Sequence, residues 1–155
     1  MRNTGISTKI EGIPFSVRAA VLIIQDNKLL VAKSANHACY YTVGGTVEVG
    51  ESTEQAVVRE VFEETGYTLD AGRLAFVHER FPTFDGRPNH ELAFFYILHS
   101  EITLDIPDGT STDQAPVETL HWLPLDRLSD YELVPSFLKT ADFNQKHIQH
   151  IVTYD

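Results

Sequence analysis

Hydrophobic positions fall mostly into short β-branched runs separated by polar turn formers, with one stretch of helical period between them. Residues 15–24 (FSVRAAVLII) and 28–33 (KLLVAK) flank Asp26-Asn27 and predict a hairpin feeding a central sheet. Residues 74–81 (LAFVHERF) predict a strand ending near Pro82, followed by a polar loop, PTFDGRPN, and a strongly apolar strand from about His90 to His99, the two strands forming a long hairpin. Residues 105–113 are rich in Asp, Thr, Gly and Ser and suggest a mobile loop. Beyond them VETLHWLPL predicts a short strand, with a helical turn starting at Pro124. From Pro135 to Ile148, Phe137, Leu138, Ala141, Ile148 and Ile151 suit a closing helix. This order predicts an α/β fold: one mixed β-sheet covered by helices on both sides, in one domain spanning residues 1–155.

The helical stretch lies within residues 45–67, GTVEVGESTEQAVVREVFEETGY. Ser52 with Gln55 three residues on is a capping-box pattern, and Gly66 stands where a left-handed cap ends a helix. Val57, Val58, Val61 and Phe62 form an apolar arc for packing. Beside it, at about 100° per residue, Glu60, Glu63 and Glu64 share one face. Like charges at this spacing destabilise a helix by about 0.2–0.5 kcal/mol per pair, so a solvated acidic face and a cation-binding face are the two readings. Arg59 offsets part of the charge, and a hard divalent cation would do so more completely. Gly44-Gly45 precedes the helix and predicts a turn where a backbone carbonyl could approach a metal.

Gly45, Glu51, Arg59-Glu60, Val61, Glu63-Glu64, Gly66 and Tyr67 resemble the Nudix box, G-x5-E-x7-R-E-U-x-E-E-x-G-U, where U is bulky and apolar; every fixed position is filled. Tyr67 stands where an aliphatic residue is more usual, and Thr42-Val43 where many relatives have a proline. The resemblance covers residues 15–148 and implies a Nudix-like α/β/α sandwich. It also implies Mg²⁺ or Mn²⁺ as cofactor, held by Glu60 and Glu64, with Glu63 a further ligand or the general base and the Gly45 carbonyl a backbone ligand. Arg59 and Glu51 then orient the glutamates. Relatives often draw an additional carboxylate from outside the box, which makes Glu118 a candidate. The region after the helix contributes substrate contacts in the family, making Arg80, Phe81, Phe84, Arg87 and His90 candidates. The implied activity is hydrolysis of a phosphoanhydride bond in a nucleoside diphosphate-X substrate such as ADP-ribose. Nucleoside triphosphate hydrolysis and a catalytically silent nucleotide-binding domain are the alternatives. Pro82, fifteen residues beyond Tyr67, lies near a proline that accompanies ADP-ribose hydrolysis in parts of the family, whereas the extra N-terminal region of many such enzymes has no room before a first strand near Phe15.

Composition narrows the partners. The 155 residues carry 22 acidic and 12 basic side chains, a formal charge of −10, which argues against recognition of a nucleic-acid backbone. An acidic protein can still bind an anionic small molecule through bridging metal ions. A single cysteine, Cys39, excludes an intrachain disulfide and a cysteine metal cluster. No run approaches a membrane span and no leader-like segment opens the chain, so the expected location is the cytoplasm. Homodimers are common among relatives. Tyr40 and Tyr41 are weighed between packing and base stacking, and Arg18 and Lys33 between solvent and the substrate side. His147 and His150 are expected to be a solvated pair.

Overall fold

The structure is a computed structural model and describes residues 4–113 and 117–155. Its strands are β1 (Ser7–Ile10), β2 (Ile13–Gln25), β3 (Lys28–Ser34), β4 (Tyr40–Thr46), β5 (Arg73–Arg80), β6 (Thr83–Phe84), β7 (Arg87–Pro88), β8 (His90–His99), β9 (Thr110–Ser111), β10 (Glu118–Pro124), β11 (Leu133–Val134) and β12 (Gln149–Thr153). Helix α1 spans Thr53–Thr65, and two 3₁₀ turns cover Leu125–Asp130 and Ser136–Lys139. The main sheet runs β12-β5-β8-β2-β4-β3-β10-β9, with β1 added to β2 and β11 to β4. It is mixed as expected: β2 is parallel to β8 and antiparallel to β4.

Local chemistry explains the connections that the pattern anticipates. Asp26 and Asn27 both take positive φ, 49° and 59°, which matches the twist of a two-residue hairpin between β2 and β3. The segment after Pro82 is a small hairpin of its own, β6 against β7, turning at Asp85-Gly86. An unanticipated first hairpin, β1 with β2, precedes Phe15; all four β1 residues are exposed, so no buried face marks it in the sequence.

Two apolar clusters sandwich the sheet. On one face Val21, Ile23, Leu30 and Val43 pack under Ala56, Val57 and Val61 of α1. On the other, Leu22, Val31, Phe76 and Phe95 pack against Leu128, Leu133, Leu138 and Phe143. The mixed α/β class holds, but among the described residues the second face is covered by 3₁₀ turns and loops, not by an α-helix. The closing helix expected from Pro135 to Ile148 is thus replaced by the turn Ser136–Lys139, an irregular stretch, and β12 parallel to β5. Asp142 accepts from the Asn144 amide at 2.9 Å and Gln145 from the His147 amide at 3.0 Å, side-chain bonds that compete with helical ones. Ile151, Val152 and Thr153 are β-branched and favour the strand.

Residues 105–113, expected to be a mobile loop, make hydrogen bonds to β10. Ile106 is buried, its carbonyl accepts from the Trp122 indole at 2.8 Å, and the Asp108 carboxylate accepts from the Trp122 amide at 2.9 Å. Among the described residues no helix is long and apolar enough to cross a membrane.

Candidate functional site

Helix α1 is fixed at both ends by its own sequence. The Ser52 hydroxyl accepts from the Gln55 amide at 3.1 Å, the Gln55 side chain accepts from the Ser52 amide at 2.8 Å, and Gly66 closes the helix at φ 78°. Thr53 adds a tertiary anchor, its hydroxyl 2.7 Å from that of Tyr96 on β8. These bonds set the rotation of the helix. Ala56, Val57 and Val61 go into the core, whereas Phe62, expected in the apolar arc, is 56% exposed. Glu64 takes an inward position instead and is only 8% exposed.

The glycine pair is not a turn. Gly44 and Gly45 are interior to β4, opposite Ala20 and Ala19 of β2. A side chain at Gly45 would start 2.2 Å from a Glu60 carboxylate oxygen, and one at Gly44 would start 2.3 Å from the Ala19 carbonyl oxygen. Glycine is therefore required for close approach, and the Glu60 carboxylate lies directly on the strand.

Arg59 links the acidic groups. Its Nη2 and Nε donate to the two oxygens of Glu51 at 2.5 and 3.2 Å, a bidentate pair, while Nη1 donates to Glu60 at 2.6 Å and reaches Glu63 at 3.5 Å. Nη2 also donates to the Thr46 carbonyl. Glu51 in turn accepts from the Glu48 amide at 2.8 Å. The hydrogen bonds from Arg59 hold the Glu51 carboxyl below its ordinary range and the guanidinium above its own. Burial raises Glu60 despite Arg59.

Glu64 is the least compensated member. One oxygen accepts from the Gly44 amide at 3.2 Å; the other, Oε2, is buried without a partner. Burial first, then the nearby charge of Glu118, pushes its carboxyl up to about 8. Glu118, at the start of β10 and 9% exposed, accepts from the Tyr41 hydroxyl at 2.5 Å and the Thr112 hydroxyl at 3.1 Å. A cavity of 560 Å³ opens beside them, lined by Phe62, Glu63, Glu64, Asp105, Thr110 and Asp113 among others.

The donor set suits a hard divalent cation. An orphaned buried carboxylate oxygen, a second carboxylate pressed on a glycine strand and a third nearby are costly together unless a positive charge joins them. Among the described residues no three carboxylate, imidazole or thiol side chains stand already converged for a metal ion. Arg59 accounts for part of this, since it holds one oxygen of Glu60 and reaches Glu63. Glu60, Glu63, Glu64, Glu118 and the Gly45 carbonyl are the candidates to hold a cation.

Comparison with known proteins places this arrangement. The NUDIX domain family matches residues 14–145. The chain belongs to the Nudix hydrolase family. An ADP-ribose pyrophosphatase of Methanocaldococcus jannaschii is 31% identical over 121 residues, covering 76% of this chain and 70% of that protein. The NAD-capped RNA hydrolase NudC of Vibrio atlanticus is 48% identical over 113 residues, but these span 71% of this chain and only 38% of that relative. Among solved structures, a MutT protein of Bacillus halodurans superposes with a TM-score of 0.66 at 17% identity, covering 90% of each chain, a likeness of fold. A MutT NUDIX hydrolase of Burkholderia pseudomallei gives 0.58 at 26% identity over 72% of this chain and 84% of that one.

The residues expected to meet substrate in this Nudix chain form a separate group. Phe81 stacks on His90, ring centroids 4.5 Å apart, and on Tyr154 at 5.6 Å; Phe15 meets His90 edge-on at 4.9 Å. Arg80 donates to the Asp155 carbonyl at 2.8 Å and lies over the Phe84 ring, and Arg87 faces Phe84 across the β6–β7 hairpin. His90 pairs with Phe15, four residues along β2 from the partner of Gly45, a separation of roughly 13 Å along the strand. His147 and His150 are both exposed, as expected, and His150 pairs with Glu79 at 2.6 Å on β12.

Sequence reasoning did not single out Thr112, and left Tyr41 and Arg18 undecided. Tyr41 bonds Glu118, and Arg18 donates to the Thr42 carbonyl at 3.0 Å with its charge felt by Glu60 and Glu64. Alternation along β2 and β4 carries no sign of either partner, since both depend on strand register.

Proposed function

We propose that this Nudix chain is a divalent-metal-dependent hydrolase cleaving a phosphoanhydride bond in a nucleoside diphosphate-X compound, with ADP-ribose the leading substrate. The observation that carries the reading is the unpartnered Glu64 Oε2, buried beside Glu118 and one helical turn from Glu60. Glu60, Glu64 and the Gly45 carbonyl are the groups assigned to hold Mg²⁺ or Mn²⁺, with Glu63 and Glu118 completing the acidic wall. When bound, the metal would supply Lewis-acid stabilisation of the diphosphate and activate water. Arg59 and Glu51 keep Glu60 in place through charge-assisted hydrogen bonds. A carboxylate of the wall not committed to metal takes the proton of the attacking water. The Phe81, His90 and Phe84 rings with Arg80 and Arg87 provide apolar faces and positive charge for the organic part of the substrate.

The likeness to an ADP-ribose pyrophosphatase over 76% of the chain supports this substrate class. Pro82, buried beside Phe81, is consistent with it. Nucleoside triphosphate hydrolysis, which the same acidic wall and metal would serve, is the second reading. Product analysis separates them. Incubation with Mg²⁺ and ADP-ribose is expected to yield AMP and ribose 5-phosphate. Pyrophosphate release from nucleoside triphosphates with ADP-ribose untouched would move the assignment to triphosphate hydrolysis, and no turnover of either would favour a silent binding domain.

A further inference from the structure

We propose that Tyr41 is a positioning residue for Glu118, its hydroxyl fixing the orientation in which that carboxylate faces Glu64. The inference rests on the reading above that this acidic wall takes up a divalent cation. Strand register makes the contact possible. Tyr41 on β4 lies opposite Ala32 on β3, and Glu118 on β10 lies opposite Ser34 on the same β3. Residues 32 and 34 are two apart and so point to one face, the face covered by α1, where Ala32 and Tyr41 join the cluster of Val57 and Val61. Strands β4 and β10 do not touch, because β3 runs between them. Two strand spacings are about 10 Å, a gap that a long, rigid phenol can cross only above small side chains. Ala32 and Ser34 are small, and the Tyr41 hydroxyl reaches Glu118 Oε2 at 2.5 Å.

The other oxygen of Glu118 accepts from Thr112 at 3.1 Å, so the carboxylate is gripped from the sheet and from the segment before β10. An ionised carboxylate has about four acceptor sites, and two hydrogen bonds leave it able to bind further. Its charge is already felt by Glu64, whose Oε2 has no partner. A ring without the hydroxyl would fill the same space and leave Glu118 free to turn away. Groups that orient metal ligands in this manner change affinity by roughly 10–100-fold when lost.

The test is Mn²⁺ binding by calorimetry to the full chain without substrate, for wild type, Tyr41→Phe, Glu118→Gln and the double variant. Tyr41→Phe is expected to weaken binding about tenfold, with metal-free melting close to wild type and turnover recovering as Mn²⁺ is raised to saturation. The double variant is expected to bind no more weakly than Glu118→Gln alone, since the hydroxyl acts through that carboxylate. Unchanged Mn²⁺ affinity in Tyr41→Phe, or losses that add in the double variant, would overturn the role of Tyr41 while leaving metal dependence standing. A wild type that binds no Mn²⁺ would overturn both.

Discussion

At the scale of single residues, the acidic groups on α1 and just before it differ because their neighbours differ. Glu51 has a bidentate guanidinium and ionises readily; Glu64 has one amide donor and a buried, unpartnered oxygen. For Glu64 the folded value near 8 lies above the ordinary 4.5, so between those limits the folded chain keeps a proton that the unfolded chain has lost. Stability therefore falls with rising pH across that window. In chelator, melting of the wild type should decline from pH 5 to pH 8, and Glu64→Gln should flatten part of that decline because glutamine has nothing to ionise. At pH 8, Mn²⁺ should raise the wild-type melting temperature and leave the Gln variant nearly unmoved. Equal slopes for the two proteins in scanning calorimetry would remove Glu64 from this account.

At the scale of elements, what could be read from the sequence is what is encoded locally. The ends of α1 are written in Ser52, Gln55 and Gly66, and the β2–β3 turn in Asp26-Asn27, so both were legible. β12 was not, because Phe137, Leu138 and Ile151 fit a helical period while the bonds that hold the segment come from β5, some seventy residues earlier. The site divides in the same way. Box residues were legible as a set, but the contact of Glu118 with Tyr41 follows from register across β3, which no local pattern states. Gly45 shows the limit most directly: it was read as a turn residue, whereas its strand needs it because Glu60 occupies the space of a side chain. Gly45→Ala should accordingly displace the mobile end of Glu60 and not the backbone. Melting is expected to change little, whereas Mn²⁺ affinity and turnover should both fall by about tenfold or more, as for lost orienting contacts. A large loss of stability with normal metal affinity would place the constraint in the sheet instead.

At the scale of the whole molecule, the sheet separates a working face from a supporting one. On the α1 side an apolar cluster shares its layer with Glu60, Glu64 and Glu118, so packing there cannot change without moving charge. On the far side Phe76, Phe95, Leu128, Leu133 and Leu138 form a wholly buried cluster with one buried histidine, His78, whose ring lies 4.8 Å from that of Phe137. Surrounding apolar groups lower His78 to about 4, so it stays neutral and adds no charge to this face near pH 7. On the proposed reading, the division separates stability from metal binding in a way that two substitutions can expose. Leu138→Ala removes a fully buried side chain from the far face and should cost about 2–5 kcal/mol. Distant, unshared sites add within about 0.3–0.5 kcal/mol, so Mn²⁺ affinity of the folded variant should stay at the wild-type value. Glu64→Gln should do the reverse, losing metal affinity without that loss of metal-free stability. Denaturant titration paired with calorimetric Mn²⁺ binding reads both quantities on each protein. A Leu138→Ala variant that is folded at the assay temperature yet binds Mn²⁺ tenfold more weakly would mean that the two faces are mechanically coupled through β2 and β4, and the separation argued from the layer structure would fail.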